Sequence, residues 1–160
     1  MQNKYDALMA LLQFRYVQAD RRTFPAMDVI NTFENSIGFV IPHDYKEFLL
    51  KYGVTGSNTG RWLIRDESGK SIGGVDVFLG LSPKTGYDLA NERRHFADVL
   101  PVYILPLATS SGGMLCMSLK DDDTGSIYWW DPQEPFIEGN IEFMAKDFDT
   151  FMHSLYIDKE

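Results

Sequence analysis

Residues 33–49 read FENSIGFVIPHDYKEFL, and this stretch decides the architecture of the chain. Phe33 and Ile37 complete an apolar stripe that starts at Ala26, Val29 and Ile30, the i, i+3, i+4, i+7 spacing of one helical face. Pro25 suits the opening turn of that helix. Gly38 suits its close, because a residue without Cβ adopts the left-handed conformation at little cost. Phe39-Val40-Ile41-Pro42 is then a short apolar connection. It leads into a second helix in which Tyr45, Phe48, Leu49 and Tyr52 share a face and Gly53 is the stop. The passage predicts two amphipathic helices joined by a turn punctuated with Gly and Pro.

Upstream, Tyr5, Leu8, Met9, Leu12 and Tyr16 repeat the helical spacing and predict a helix over residues 3–19, so three helices precede any strand. Downstream, GVTGSNTG (53–60) is a loop by composition. From Arg61 the pattern becomes short β-rich runs: RWLIR, VDVFL, VYILPLA, MLCMSL and SIYWW. Residues 82–99 predict a loop leading into a polar helix. Gly112-Gly113 and Asp121–Gly125 join successive strands, which makes the last three runs an antiparallel meander. Ile141, Met144, Phe148, Phe151, Met152 and Leu155 predict a closing helix. The expected fold class is α+β: N-terminal helices, a central, mainly antiparallel sheet of about five to six strands, and a C-terminal helix packed on it, all in one domain spanning residues 1–160.

Composition narrows the function. At 160 residues with 44% hydrophobic side chains the chain is long enough for one packed core and too apolar for disorder. Residues 1–100 hold 12 basic and 12 acidic side chains, whereas residues 101–160 hold 3 and 11. The net charge of -8 is the wrong sign for neutralising phosphates, so direct nucleic-acid binding is not expected. A partner drawn by the field should be basic and should meet the C-terminal third. Cys116, the single cysteine, cannot form an internal disulfide or a zinc site alone, which points to a reducing compartment. The start of the chain lacks the basic and unbroken apolar regions of a signal peptide, and no apolar run reaches the roughly 20 residues of a membrane span. A cytoplasmic protein without a membrane contact is expected.

Catalytic patterns are weak. Cys116 lies in MLCMSL, where a small buried hydrophobe is expected. Ser110-Ser111-Gly112-Gly113 is not the G-x-S-x-G elbow. Glu92-Arg93-Arg94-His95 is a single E-x-x-H where di-iron chemistry needs two. Asp121-Asp122-Asp123-Thr124-Gly125 lacks the ligand alternation of a calcium loop and reads as a hairpin turn. No metal or cofactor is expected, and an enzyme reading would have to rest on His95 and Glu92 alone. What stands out is aromatic: Tyr128, Trp129 and Trp130 on one strand, followed by Asp131 and Glu134. Successive strand residues point to opposite faces, so either helices cover the sheet on both sides or at least one large ring lies outside the core; in the second case Trp130 is the expected anchor, with Asp121, Asp122, Asp123, Asp131 and Glu134 supplying charge.

These motifs together resemble the SUKH superfamily, which includes the yeast cell-wall-assembly regulator and many bacterial toxin-immunity proteins. The resemblance covers residues 24–155 and is carried by Phe33–Leu49, by Ser110–Met117 as a Gly-rich entry to a central strand, by Ser126–Asp131 as a V-Y-x-W-D strand, and by Phe143–Leu155 as the C-terminal helix. Ile41 replaces the usual Leu before Pro42, and Met114 stands where an acidic residue is common. The resemblance implies a non-enzymatic binding module, commonly an immunity protein that neutralises a cognate toxin, often a nuclease. An acidic inhibitor fits the basic cleft of such a partner, and the oligomeric state stays open. The alternative from the same family is a regulatory or cell-wall pathway adaptor, which a chain without low-complexity flanks fits less well.

Overall fold

The computed structural model describes residues 2–157. Asp158 and Glu160, counted above among the acidic residues, lie outside them. The decisive stretch folds as expected into α2 (Met27–Ile37) and α3 (His43–Tyr52). Gly38 ends α2 with φ +79° and donates its N–H to the Glu34 carbonyl at 2.9 Å. Glu34 then does more than sit on a helix. Its carboxylate accepts the Ile41 N–H at 2.6 Å and the Lys46 ammonium at 2.8 Å, so one side chain bridges the end of α2, the connection and α3. Both side chains of this ion pair are largely buried, which strengthens it and makes either half costly to orphan. Glu34→Ala should therefore lower the unfolding free energy by about 1.5–3 kcal/mol, read as a shifted urea midpoint with unchanged slope. Glu34→Gln, which keeps an acceptor for Ile41, should cost less.

The first helix is shorter than its periodicity predicts. α1 covers Asp6–Leu11 only, Gln13 turns through φ +51°, and Phe14–Tyr16 is a strand, β1. The physical reason is tertiary. The Leu12 carbonyl accepts the buried Trp62 indole N–H at 2.8 Å instead of extending the helix, and Phe14 packs edge-on against Tyr52 at 5.0 Å. Tyr5, Met9 and Leu12 still form the buried face.

Asp6 ties this N-terminal unit to α3. It accepts the Tyr52 hydroxyl, the Asn3 backbone N–H at 2.9 Å and the Lys51 ammonium at 2.9 Å. The Tyr52 bond, then the Asn3 N–H and Lys51, hold its carboxyl at about 2, below the ordinary 3.8. A carboxylate whose pKa is depressed by folding contributes stability above its unfolded value and loses it as pH falls through the folded one. The wild-type chain should thus lose stability between about pH 4 and pH 2, and Asp6→Asn should flatten that part of the profile while lowering stability at neutral pH. Urea midpoints across this window, for both chains, check it.

The strands form two sheets. β2 (Thr55–Ser57), β5 (Val77–Phe78), β6 (Ile104–Ser110), β7 (Gly113–Ser118), β8 (Ile127–Trp130) and β9 (Ile141–Ala145) join β1 in a seven-stranded sheet of order β1-β2-β5-β6-β7-β8-β9. Every pairing in it is antiparallel. β3 (Trp62–Arg65), β4 (Ser71–Val75) and β10 (Leu155–Ile157) form a separate three-stranded sheet of order β10-β3-β4. The VDVFL run is split between the two sheets at Asp76, whose N–H donates to Thr109 and whose carboxylate accepts the Ser111 N–H at 2.6 Å. The predicted meander is present as β6-β7-β8, with turns at Ser111-Gly112 and at Asp121–Gly125.

The closing segment differs from the predicted single helix over Ile141–Leu155. Its first third is β9, its last residues begin β10, and only Phe148–His153 is helical, as α5. Asp147 sets the boundary: its backbone is extended and its side chain caps α5 by accepting the Thr150 N–H at 2.7 Å. α4 (Leu89–His95) is the expected polar helix, capped by Asp88. Register places these helices. Phe78, Ala108, Leu115 and Trp129 pair in succession and share one face, where Phe78 meets Phe48 of α3 at 4.8 Å and Phe148 of α5 at 6.5 Å. Trp130, one residue on, faces the other way and meets Phe96, just after α4, at 5.3 Å. Helices thus cover both faces of the sheet.

Candidate functional site

The α4 face of the sheet is only partly covered. Tyr128 and Trp130 lie on it, paired with Phe143 and Ile141 of β9, and the loop 131–140 folds over them through Phe136, 6.3 Å from Tyr128 and 6.1 Å from Trp130. Between this loop and the β7–β8 turn opens a groove of about 570 Å³. Its apolar wall is Tyr103, Tyr128, Phe136 and Ile137, and its rim carries Asp122, Asp123 and Glu138 against the single cation Lys120. The Lys120 ammonium stands 5.4 Å over the Tyr103 ring. Asp123 is held in place as acceptor of the Tyr128 hydroxyl at 2.7 Å; burial first, and then this bond, push the phenol up to about 12. An acidic rim over an aromatic wall is the chemistry that receives a Lys or Arg side chain.

The structure distributes the six residues expected from the sequence unevenly. Asp122 and Asp123 line the groove, and Asp121 is exposed beside them on the same turn. Asp131 and Glu134 lie on the covering loop. Asp131 shapes it by accepting the Gln133 N–H at 2.9 Å, and the exposed Glu134 offers its carboxylate to solvent. Trp130 is a correction: it is 0% exposed and cannot serve as a surface anchor. Its indole N–H donates to the Glu134 carbonyl at 2.7 Å, so it fastens the loop from below. The large apolar side chains exposed on this surface belong to other residues. Phe143 and Ile137 are 59% and 58% exposed, and Tyr128 and Trp129 are half-buried.

Phe136, Ile137, Glu138 and Phe143 were not foreseen. A signal for the first three was present: Pro132, Pro135 and Gly139 forbid a regular element, so an apolar pair within DPQEPFIEG cannot be core strand. Phe143 was hidden by the helical reading of its segment.

The chemical alternatives are placed as follows. Cys116 is fully buried and burial pushes its thiol up, which keeps it protonated. His95 is exposed on α4, its ring 4.8 Å from Phe96, and neither it nor Glu92 lines the groove. Among the described residues no group of three His, Cys, Asp or Glu could hold a metal ion, and no helix is long and apolar enough to cross a membrane. A second, smaller groove of about 280 Å³ lies on the other face between β4 and Trp129. Gly113 permits that tryptophan, since a Cβ there would stand 2.3 Å from its ring.

Residues 26–154 match the SMI1/KNR4 family (SUKH-1), a range that opens just before α2 and closes just after α5. The chain is also similar to the SPbeta prophage-derived uncharacterized protein YokK of Bacillus subtilis (strain 168), at 29% identity over 155 residues, covering 85% of this chain and 79% of the relative.

Proposed function

The chain belongs to the SMI1/KNR4 family (SUKH-1), and from that premise we propose that it is an immunity protein that binds and neutralises a cognate protein toxin, a nuclease being the class its charge fits best. The observation that carries this reading is the groove on the α4 face, where Asp122, Asp123 and Glu138 ring an aromatic wall in the acidic third of the chain. A nuclease cleft is basic because it must hold phosphates, and a carboxylate-rimmed surface can occupy it by occupying the same cations. Inhibition of that kind requires complementarity and no chemistry by the inhibitor. It takes place in the cytoplasm, where a nuclease toxin meets its substrate.

The test is a pull-down with the full chain as bait and the product of the neighbouring gene, as an inactive variant, as prey. Co-expression with the active form tests rescue. Binding with rescue is the expected result. Failure of both, with the neighbour shown to be folded, would overturn the immunity reading and favour a regulatory adaptor.

A further inference from the structure

A cation of the chain itself already rests on the aromatic wall of the 570 Å³ groove. The Lys120 ammonium stands 5.4 Å over the Tyr103 ring, and among the described residues it has no carboxylate within 4.0 Å. The backbone accounts for its position. The Lys120 carbonyl accepts the Asp123 N–H at 2.9 Å and the Thr124 hydroxyl at 2.7 Å, and the neighbouring Leu119 N–H donates to the Tyr103 carbonyl at 2.7 Å. These bonds root the side chain at the base of the turn, alongside Tyr103.

The carboxylates of the same groove are left without a cation. Asp123 is taken up by the Tyr128 hydroxyl. Asp122, on the β7–β8 turn, and Glu138, on the loop 131–140, are exposed, and their carboxylates make no hydrogen bond or ion pair among the described residues. Three carboxylates thus face one ammonium, and that ammonium sits on a ring. A guanidinium suits both surfaces: it is planar, stacks on ring faces, leaves water at less cost than an ammonium, and its five N–H donors can serve carboxylates on more than one wall. An ammonium is a strongly hydrated point charge and gains less in such a place.

We propose that the groove takes one arginine side chain of the partner, its guanidinium against the aromatic wall and toward Asp122 and Glu138, and that Lys120 sets the specificity there as a resident cation that the incoming guanidinium displaces from Tyr103. The proposal deepens the toxin-binding reading and rests on it for the partner being a protein. Removing the Lys120 charge then tightens binding, because the arriving cation no longer meets a like charge beside it.

The test is NMR titration of the full chain with N-acetyl-arginine amide, against the lysine and the uncharged citrulline analogues at equal ionic strength. The arginine amide should bind with a Kd of roughly 1–10 mM and shift the Tyr103, Lys120 and Ile137 amides. As it binds, the Lys120 ε-methylene should lose the ring-current shift that Tyr103 imposes. The lysine amide should bind at least about threefold more weakly and the citrulline amide should leave the groove unshifted. Lys120→Gln should bind the arginine amide about threefold or more tightly at low salt with an unmoved thermal midpoint. Lys146→Gln, which removes a lysine outside the groove, should not. No shift with the arginine amide overturns the proposal, as does equal binding of either analogue, a Lys120 signal that stays on Tyr103, or tightening by Lys146→Gln as large as that by Lys120→Gln. The inactive neighbouring-gene product is titrated in parallel. If it binds the wild type and binds Lys120→Gln no more tightly, the arginine proposal falls and the immunity reading stands. If it does not bind, the immunity reading falls, and the arginine amide still decides the groove.

Discussion

Trp130→Ala should lower the unfolding free energy by about 3–5 kcal/mol, a large share of the roughly 5–15 kcal/mol available to a domain of this size. The side chain is fully buried, packs against Phe96 and Phe136, and loses its indole hydrogen bond to the Glu134 carbonyl when truncated. The cavity has no simple way to collapse, because the sheet is beneath it and the loop 131–140 is pinned above it. In a thermal scan this corresponds to a fall in Tm of roughly 6–20 °C. Phe143→Ala, which removes an aromatic ring of comparable chemistry from an exposed position, should cost under about 1 kcal/mol. The pair of variants separates a core residue from a surface one. Equal stability losses at the two positions would contradict the burial difference on which the site rests. Trp130→Ala should also release the loop, seen as faster amide exchange over 131–140, and weaken partner binding indirectly.

Charge reversal at the β7–β8 turn should have the largest effect on association. Converting Asp121 and Asp122 to Lys removes two carboxylates and adds two cations beside Lys120, at positions that are exposed and make no hydrogen bond the fold depends on. Folding stability should stay within about 1 kcal/mol of wild type. The rate of association with the proposed basic partner should fall by roughly 10- to 1000-fold at low salt, and raising the salt should bring the wild type toward the variant. Adding Asp123→Lys should deepen the loss but also remove the acceptor of the Tyr128 hydroxyl, so the double variant is the cleaner probe. Stopped-flow or surface-based kinetics over a salt series would check this. Association that does not respond to salt would sink the electrostatic account.

Legibility followed the range of the interactions involved. The turn between α2 and α3, the Gly38 cap and the hairpin turns depend on residues within a few positions of one another, and they were readable as such. The acidic turn was readable for the same reason, and the fold brings its Asp122 and Asp123 to the rim of the groove. β9 was not readable, because Ile141, Met144, Phe148 and Phe151 satisfy a helical period while Ile141, Glu142 and Phe143 also satisfy a strand alternation. Only the β8 partner, with Tyr128 opposite Phe143, chooses between them. The burial of the individual rings was hidden likewise: neighbouring residues in IYWW differ in burial because of what lies above and below the sheet.

The amino-acid sequence alone determined the α+β class, the family signature and the concentration of negative charge in the last third, since these depend on composition and short-range spacing. Tertiary structure decided that the sheet extends to β9, that Trp130 is a core residue, and that Phe136, Ile137 and Glu138 join Asp122 and Asp123 in one groove. Those outcomes depend on which distant segments pair and cover one another, and burial there is settled by pairing free energy that no local window contains.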